Sequence, residues 1–98
     1  MPKVSVKIPH GQDPAEAVEK VKAAIEKTVK DFQGNNLDLQ WEGKVATFNF
    51  KSMAFTIGGT ATVEDSDVTV EIDLPFAAMM FKDKAEKAIA KNLTRALE

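Results

Sequence analysis

Residues 55–75 read FTIGGTATVEDSDVTVEIDLP, and they carry the clearest secondary-structure pattern in the chain. Apolar residues alternate with threonines and carboxylates on both sides of the acidic run at 64–67, which is the pattern of two strands joined by a turn. Each strand therefore has one apolar and one polar face. Pro75 ends the second strand and suits the first turn of a helix. The stretch predicts a hairpin followed directly by a helix from Phe76 to about Ala96.

The N-terminal third of the chain predicts one strand and one helix. Residues 4–8 alternate apolar with polar side chains, and the strand that they indicate ends at Pro9. Asp13 then supplies an N-cap and Pro14 a first-turn proline. Beyond them apolar residues recur at spacings of three and four, which predicts an amphipathic helix that ends before Gly34.

Residues 37–50 predict a second hairpin. Alternating segments at 37–41 and 46–50 flank a tight turn at 42–43. The order of elements is therefore strand, helix, four strands, helix. Because every strand has one apolar face, we predict a two-layer α+β fold, in which both helices cover one face of an antiparallel sheet of about five strands. The 98 residues suffice for one domain, 1–98.

Composition argues against several classes of protein. The net charge of -2 gives no basic excess for neutralising phosphates, so we expect no nucleic-acid partner. No apolar run approaches the ~18 residues of a membrane span. The absence of cysteine leaves no disulfides and no thiolate ligands, which favours a cytoplasmic location. No cofactor motif is present, and we predict no cofactor.

His10 is the single histidine and the first residue to consider as a catalytic base. A general base needs a nucleophile or a carboxylate placed beside it in the fold, and the sequence alone does not place one. Between Pro9 and Gly11, at the end of a strand, a histidine more often satisfies nearby backbone groups. We therefore predict no catalytic residue and expect a protein that is not an enzyme.

Four carboxylates lie close together in the last hairpin: Asp65, Asp67, Glu71 and Asp73. Oxygen ligands of this kind suit hard cations. The spacing of a calcium-binding loop is absent, however, and aspartates are common in turns because they form local hydrogen bonds. We predict no metal site.

The pair Gly58-Gly59 lies inside a strand rather than between a strand and a helix, where phosphate-binding loops occur. We interpret it as a bulge or bend, or as space for a large residue such as Trp41 to lie across the strand. Trp41 itself is predicted to belong to the core.

The start of the last helix carries an apolar patch, formed by Phe76, Met79, Met80 and Phe81. Phe76 and Met80 fall outside the helix face that should cover the sheet, and they lie on the flank that continues into lysines 84, 87 and 91. Such a patch can dock to a partner chain, a lipid or a hydrophobic polymer. The alternative is that Phe76 and Met80 pack against the hairpin or the loop around Met53.

Two other hypotheses fit the same sequence. One is a small-molecule pocket between the helices and the hairpin, lined by Phe32, Trp41, Phe48 and Phe55. The other is a homodimer, formed through the apolar patch or through an exposed strand edge. A cavity lined by aromatic side chains would favour the pocket, and a solid core with a surface patch would favour docking.

Several short motifs together resemble the polyhydroxyalkanoic acid system proteins, a family of bacterial proteins of about one domain. The resemblance covers most of the chain and rests on these segments: Ile8-Pro9-His10, Glu16-Ala17, Trp41-Glu42-Gly43 with Phe48, and Gly59 to Pro75. The chain departs from the family pattern at Gly11-Gln12, in place of a leucine-glycine pair, and at Val18-Glu19-Lys20, in place of an arginine-rich first helix.

The resemblance implies a role in polyhydroxyalkanoate storage and supplies no catalytic residue. It leads to the hypothesis of a non-enzymatic accessory protein that docks, through the apolar patch, to the polyhydroxyalkanoate granule surface or to a granule protein.

Overall fold

A computed structural model describes residues 3–53 and 55–98; Met1, Pro2 and Ala54 lie outside the described residues. The elements follow in the predicted order. They are β1 (Lys3–Pro9), α1 (Pro14–Asp31), β2 (Asn35–Glu42), β3 (Val45–Ser52), β4 (Phe55–Val63), β5 (Asp67–Asp73), a 3-10 helix (Phe76–Phe81) and α2 (Lys82–Leu97). The α+β class and the strand–helix–four strands–helix order are confirmed.

The five strands form one antiparallel sheet in the order β1-β5-β4-β3-β2. Sequential hairpins join β2 through β5, and α1 connects β1 and β2, which form the opposite edges of the sheet. Along each strand the burial alternates with period two, so one face is solvated and the other is covered by the helices. α1 packs against α2, and α2 packs against β1.

α1 begins as the sequence predicts. The Asp13 carboxylate accepts a hydrogen bond from the Ala15 N–H at 3.2 Å, and Pro14 occupies the first turn. α2 buries the predicted apolar face against the sheet. Its fully or nearly buried members are Ala85, Ile89, Leu93 and Leu97.

The prediction of one continuous helix from Phe76 was wrong in one respect, because its first six residues form a 3-10 helix. Pro75 occupies the N-cap position and offers no side-chain hydrogen bond to the orphan N–H groups. The Ala78 N–H instead bonds the Pro75 carbonyl at 2.9 Å, the i to i+3 pattern that tightens a turn. The α-helix starts only at Lys82.

The structural role of the two adjacent glycines of β4 also differs from the prediction. β4 pairs continuously with β3 through Gly58 and Gly59, so no bulge is present there. Gly59 makes room for Phe48, not for Trp41, since a Cβ at Gly59 would lie 2.6 Å from the Phe48 Cζ atom. Trp41 lies on edge strand β2, where it is only half-buried against the core.

Candidate functional site

Only three of the four residues of the predicted apolar patch are exposed in the structure. Phe76, Met79 and Met80 are exposed, with 70%, 54% and 81% of their surface accessible. Phe81, the fourth member, is half-buried and turns inward to line a cavity. Phe76 and Met80 therefore remain in contact with solvent, and neither is buried against the hairpin or the loop around Met53.

Met53 is a further exposed apolar residue, and it was not predicted as a site residue. It occupies the short turn between β3 and β4, has a backbone φ of 57°, and is 74% exposed. Most non-glycine residues avoid positive φ, so this conformation carries some strain. Met53 and Phe81 line the same cavity, which places the turn and the 3-10 helix on its rim.

The cavity has a volume of about 140 Å³ and lies between the C-terminal end of α1, the β3–β4 hairpin and the 3-10 helix. Phe32 and Phe55, two of the four predicted pocket residues, line it; Trp41 and Phe48 do not. Its wall is largely apolar. The main apolar contributors are Phe32, Phe50, Phe55, Ile57, Leu74 and Phe81.

The hydroxyl groups on the cavity wall already have hydrogen-bond partners within the protein. The Ser52 hydroxyl donates to the Phe32 carbonyl at 2.7 Å. The Thr28 hydroxyl donates to the Ala24 carbonyl at 2.8 Å and accepts from the buried Asn92 amide at 2.8 Å. Because these groups are satisfied, the interior offers mainly apolar surface to a guest.

The mouth of the cavity carries two opposite charges. Lys27 and Asn92 both donate hydrogen bonds to the Asp31 carboxylate, and they lower the pKa of Asp31 below its usual value. The Lys84 ammonium lies 5.4 Å from the centre of the Phe32 ring, within the range of a cation–π contact. In the described part of the chain no carboxylate lies within 4.0 Å of the Lys84 ammonium.

His10 has a structural position. Its Nε2 lies 2.8 Å from the Glu64 carbonyl, and its Nδ1 accepts a hydrogen bond from the Gln12 N–H at 3.2 Å. A carbonyl only accepts and a backbone N–H only donates, so these partners fit the tautomer that carries its proton on Nε2. The His10 N–H also bonds the Ser66 carbonyl at 2.9 Å. His10 thus ties the end of β1 to the β4–β5 turn, with backbone groups on both ring nitrogens.

Three of the four acidic residues of the last hairpin, Asp65, Asp67 and Asp73, form ion pairs with lysines. Across residues 3–53 and 55–98 no group of three or more His, Asp or Glu side chains is arranged to hold a metal ion. The nitrogen–oxygen distances are 3.8 Å for Lys3–Asp73, 3.6 Å for Lys7–Asp67 and 3.4 Å for Lys44–Asp65.

No helix in the described part of the chain is long and apolar enough to cross a membrane. No match was found among curated proteins or among solved structures. A family model does match, and it spans residues 4–97, nearly the whole chain. The chain therefore belongs to the family described as "Putative polyhydroxyalkanoic acid system protein".

Proposed function

We propose that this chain is a non-enzymatic accessory protein of polyhydroxyalkanoate storage that docks to the polyester surface of the granule through Phe76, Met79 and Met80. The observation that supports this function is the exposure of these three large apolar side chains on a single 3-10 helix. Membership of the polyhydroxyalkanoic acid system family gives the polymer as the partner to test.

The chemistry of the exposed residues suits a polymer surface. A granule offers apolar polyester without a fixed pocket, and methionine is flexible and polarisable enough to contact an irregular surface. Exposed apolar residues that stand together, unlike scattered ones, mark interaction sites. Lys82 and Lys84 follow the 3-10 helix directly and are exposed, so they can face any carboxylate at the boundary.

The expected affinity of the protein for the granule surface is modest. Full burial of one large apolar side chain contributes about 1.5–3 kcal/mol, so three would contribute roughly 5–9 kcal/mol. Loss of translational and rotational freedom offsets much of this gain. We therefore expect weak and reversible attachment, which is appropriate for an accessory protein on a growing or shrinking particle.

Co-sedimentation with amorphous polyhydroxybutyrate granules tests the proposal. Wild type is expected in the pellet, and the double variant Phe76→Ser/Met80→Ser in the supernatant, because it loses most of the exposed apolar area. The control is Val45→Ser, which removes another exposed apolar side chain, 42% accessible, from the solvated face of the sheet. Circular dichroism should show all three proteins folded.

Two results would contradict docking to the polymer. One is wild type that remains in the supernatant; the other is an equal loss of binding in the double variant and in Val45→Ser. If protein-free polymer fails to bind while granules with their native protein coat succeed, the partner is a granule protein instead.

A further inference from the structure

We infer that the cavity beside the 3-10 helix is a binding site for a short-chain carboxylic acid, with the apolar tail inside and the carboxylate at Lys84. This inference goes beyond attachment to a granule and does not depend on it. It rests on the interior of the cavity, on the charges at its mouth and on its volume.

The interior selects an apolar tail. Phe50, Ile57 and Leu74 line the wall, and the hydroxyls of Thr28 and Ser52 are already engaged with partners in the protein. A polar tail would lose its hydrogen bonds to water and gain none here, whereas an apolar tail loses nothing.

The mouth selects an anionic head group. Asp31 accepts hydrogen bonds from Lys27 and Asn92, so its negative charge is compensated locally. The Lys84 ammonium lies 5.4 Å from the centre of the Phe32 ring, and it has no paired carboxylate in the described residues. Gln33, exposed on the same rim, carries an amide that can donate to the same carboxylate.

The volume limits the length of the tail. A dry apolar cavity of about 150 Å³ holds one benzene molecule, about six carbon atoms. The cavity here, at about 140 Å³, therefore fits a tail of similar size. Each buried methylene should improve affinity about fourfold until the cavity is full. Affinity should thus rise steeply from acetate to hexanoate and much less from hexanoate to decanoate.

The test is titration of the purified protein with acetate, butanoate, hexanoate and decanoate, in which binding is monitored through the amide chemical shifts in NMR spectra. We expect hexanoate to bind with a Kd between about 0.1 and 5 mM, given its few atoms. Shifts should concentrate on Thr28, Ser52 and Ala85, which line the cavity. No saturable shift with hexanoate up to 20 mM (about four times the weakest Kd expected), or shifts confined to other regions, would overturn the inference.

Two variants separate the head-group contact from the tail contact. Lys84→Met should weaken hexanoate about threefold to tenfold and leave hexanol unchanged, because only the acid needs the ammonium. Lys87→Met is the control, since Lys87 is exposed on the same helix but does not line the cavity. Ala85→Leu should fill part of the cavity and abolish binding of both ligands. Identical affinities in Lys84→Met and Lys87→Met would overturn the role of Lys84.

A separate observation concerns the two edges of the sheet. β1 is protected against pairing with another chain: Pro9 ends it, Lys3 and Lys7 lie on its solvated face, and α2 covers it. β2, by contrast, contains no proline or lysine, and its apolar side chains are only half-buried. The geometry points to antiparallel pairing of β2 with the β2 strand of a second copy.

The backbone hydrogen bonds define which residues of β2 are available. Glu42 and Val45 close a hairpin with a two-residue turn, and such a closing pair is hydrogen-bonded. Because hydrogen-bonded and non-bonded pairs alternate, Gln40 and Asp38 also point their backbone groups toward β3. The N–H and C=O groups of Leu39 and Trp41 therefore face outward and can bond a second strand.

The charges of β2 favour the register centred on Leu39 over its two neighbours. A strand pair centred on Leu39 places Asp38 opposite Gln40 of the other copy. A pair centred on Asp38 places two Asp38 carboxylates opposite each other, and a pair centred on Gln40 places Asp38 opposite Glu42. Directly opposed like charges are destabilising, so the register centred on Leu39 is favoured over these two.

Substitutions that place a negative or a positive charge at position 40 test this register, and analytical ultracentrifugation measures the strength of the homodimer. Gln40→Glu should weaken the homodimer about threefold to tenfold, because it opposes Asp38 twice, and Gln40→Lys should tighten it by a similar factor. The controls Thr47→Glu and Thr47→Lys place the same charges on neighbouring strand β3 and should change little. A wild type that stays monomeric at 1 mM, the upper end of the weak range, or a shift of both Gln40 variants in the same direction, would overturn the proposal.

Discussion

Gly59→Ala is expected to lower the free energy of unfolding by about 3 kcal/mol. Gly59 lies in the middle of β4, between two neighbouring strands, and a Cβ there would stand 2.4 Å from the Glu71 carbonyl oxygen and 2.6 Å from the Phe48 ring. The carbonyl belongs to the backbone of β5 and cannot move without disturbing the strand pairing. The added methyl group must therefore displace both a strand and a core aromatic ring.

The neighbouring glycine supplies a matched control. A Cβ on Gly58 would meet only the Phe48 carbonyl oxygen, at 3.7 Å, which is ordinary contact. Gly58→Ala should change stability by no more than about 0.5–1 kcal/mol, and it can be stabilising because alanine restricts the unfolded chain. Urea denaturation of the two variants measures the difference. Equal stabilities would show that the sheet relaxes around Gly59 at little cost.

The strands and helices could be predicted from the sequence because their signals are local. Alternation over 67–73 reports which side chains face the core, and the Asp13-Pro14 pair reports where α1 begins. The 3-10 helix was not predicted, since its residues are as good for an α-helix as those that follow. What distinguishes it is the hydrogen bond from the Ala78 N–H to the Pro75 carbonyl, a backbone feature that hydrophobic periodicity does not reveal.

The cavity depends on tertiary packing, so only part of its lining could be predicted from the sequence. The residues at issue, Phe48 and Phe50, lie on the same face of β3 and are equally buried by pattern. Phe48 packs over Gly59, while Phe50 reaches the cavity, and this difference follows from the cross-strand register. Lys84 was recognised as part of a basic flank, but its place at the mouth depends on how α2 packs near Phe32.

Asn92→Asp is expected to cost about 3 kcal/mol at pH 7, because it places a carboxylate in the helix interface. Asn92 is buried, and its amide donates to the Thr28 hydroxyl at 2.8 Å and to the Asp31 carboxylate at 3.1 Å. The substitution removes both donors and sets two carboxylates against each other. Asn92→Leu, which removes the donors without adding charge, should cost less, about 1–2 kcal/mol.

The pH dependence distinguishes repulsion from the simple loss of hydrogen bonds. In wild type, Lys27 and Asn92 lower the pKa of Asp31. Their contribution to the free energy of unfolding is therefore present at neutral pH and is lost as the pH falls below about 4. In Asn92→Asp, burial and the Asp31 charge should raise the pKa of the new carboxyl group. The folded state then binds more protons than the unfolded state, and acidification from pH 7 toward 5 should stabilise the variant.

Chemical denaturation of wild type, Asn92→Asp and Asn92→Leu between pH 7 and pH 4 measures how the free energy of unfolding changes with pH. Asn92→Asp should approach Asn92→Leu in stability as the pH falls, whereas wild type should begin to lose stability near pH 4. Parallel plots of stability against pH for the two variants would mean that the new carboxylate escapes to solvent.

Thr28 and Asp31 also line the cavity, so the hydrogen bonds of Asn92 join α2 to two residues of the cavity wall. A variant that loosens this network should therefore weaken hexanoate binding even though Asn92 itself does not line the cavity.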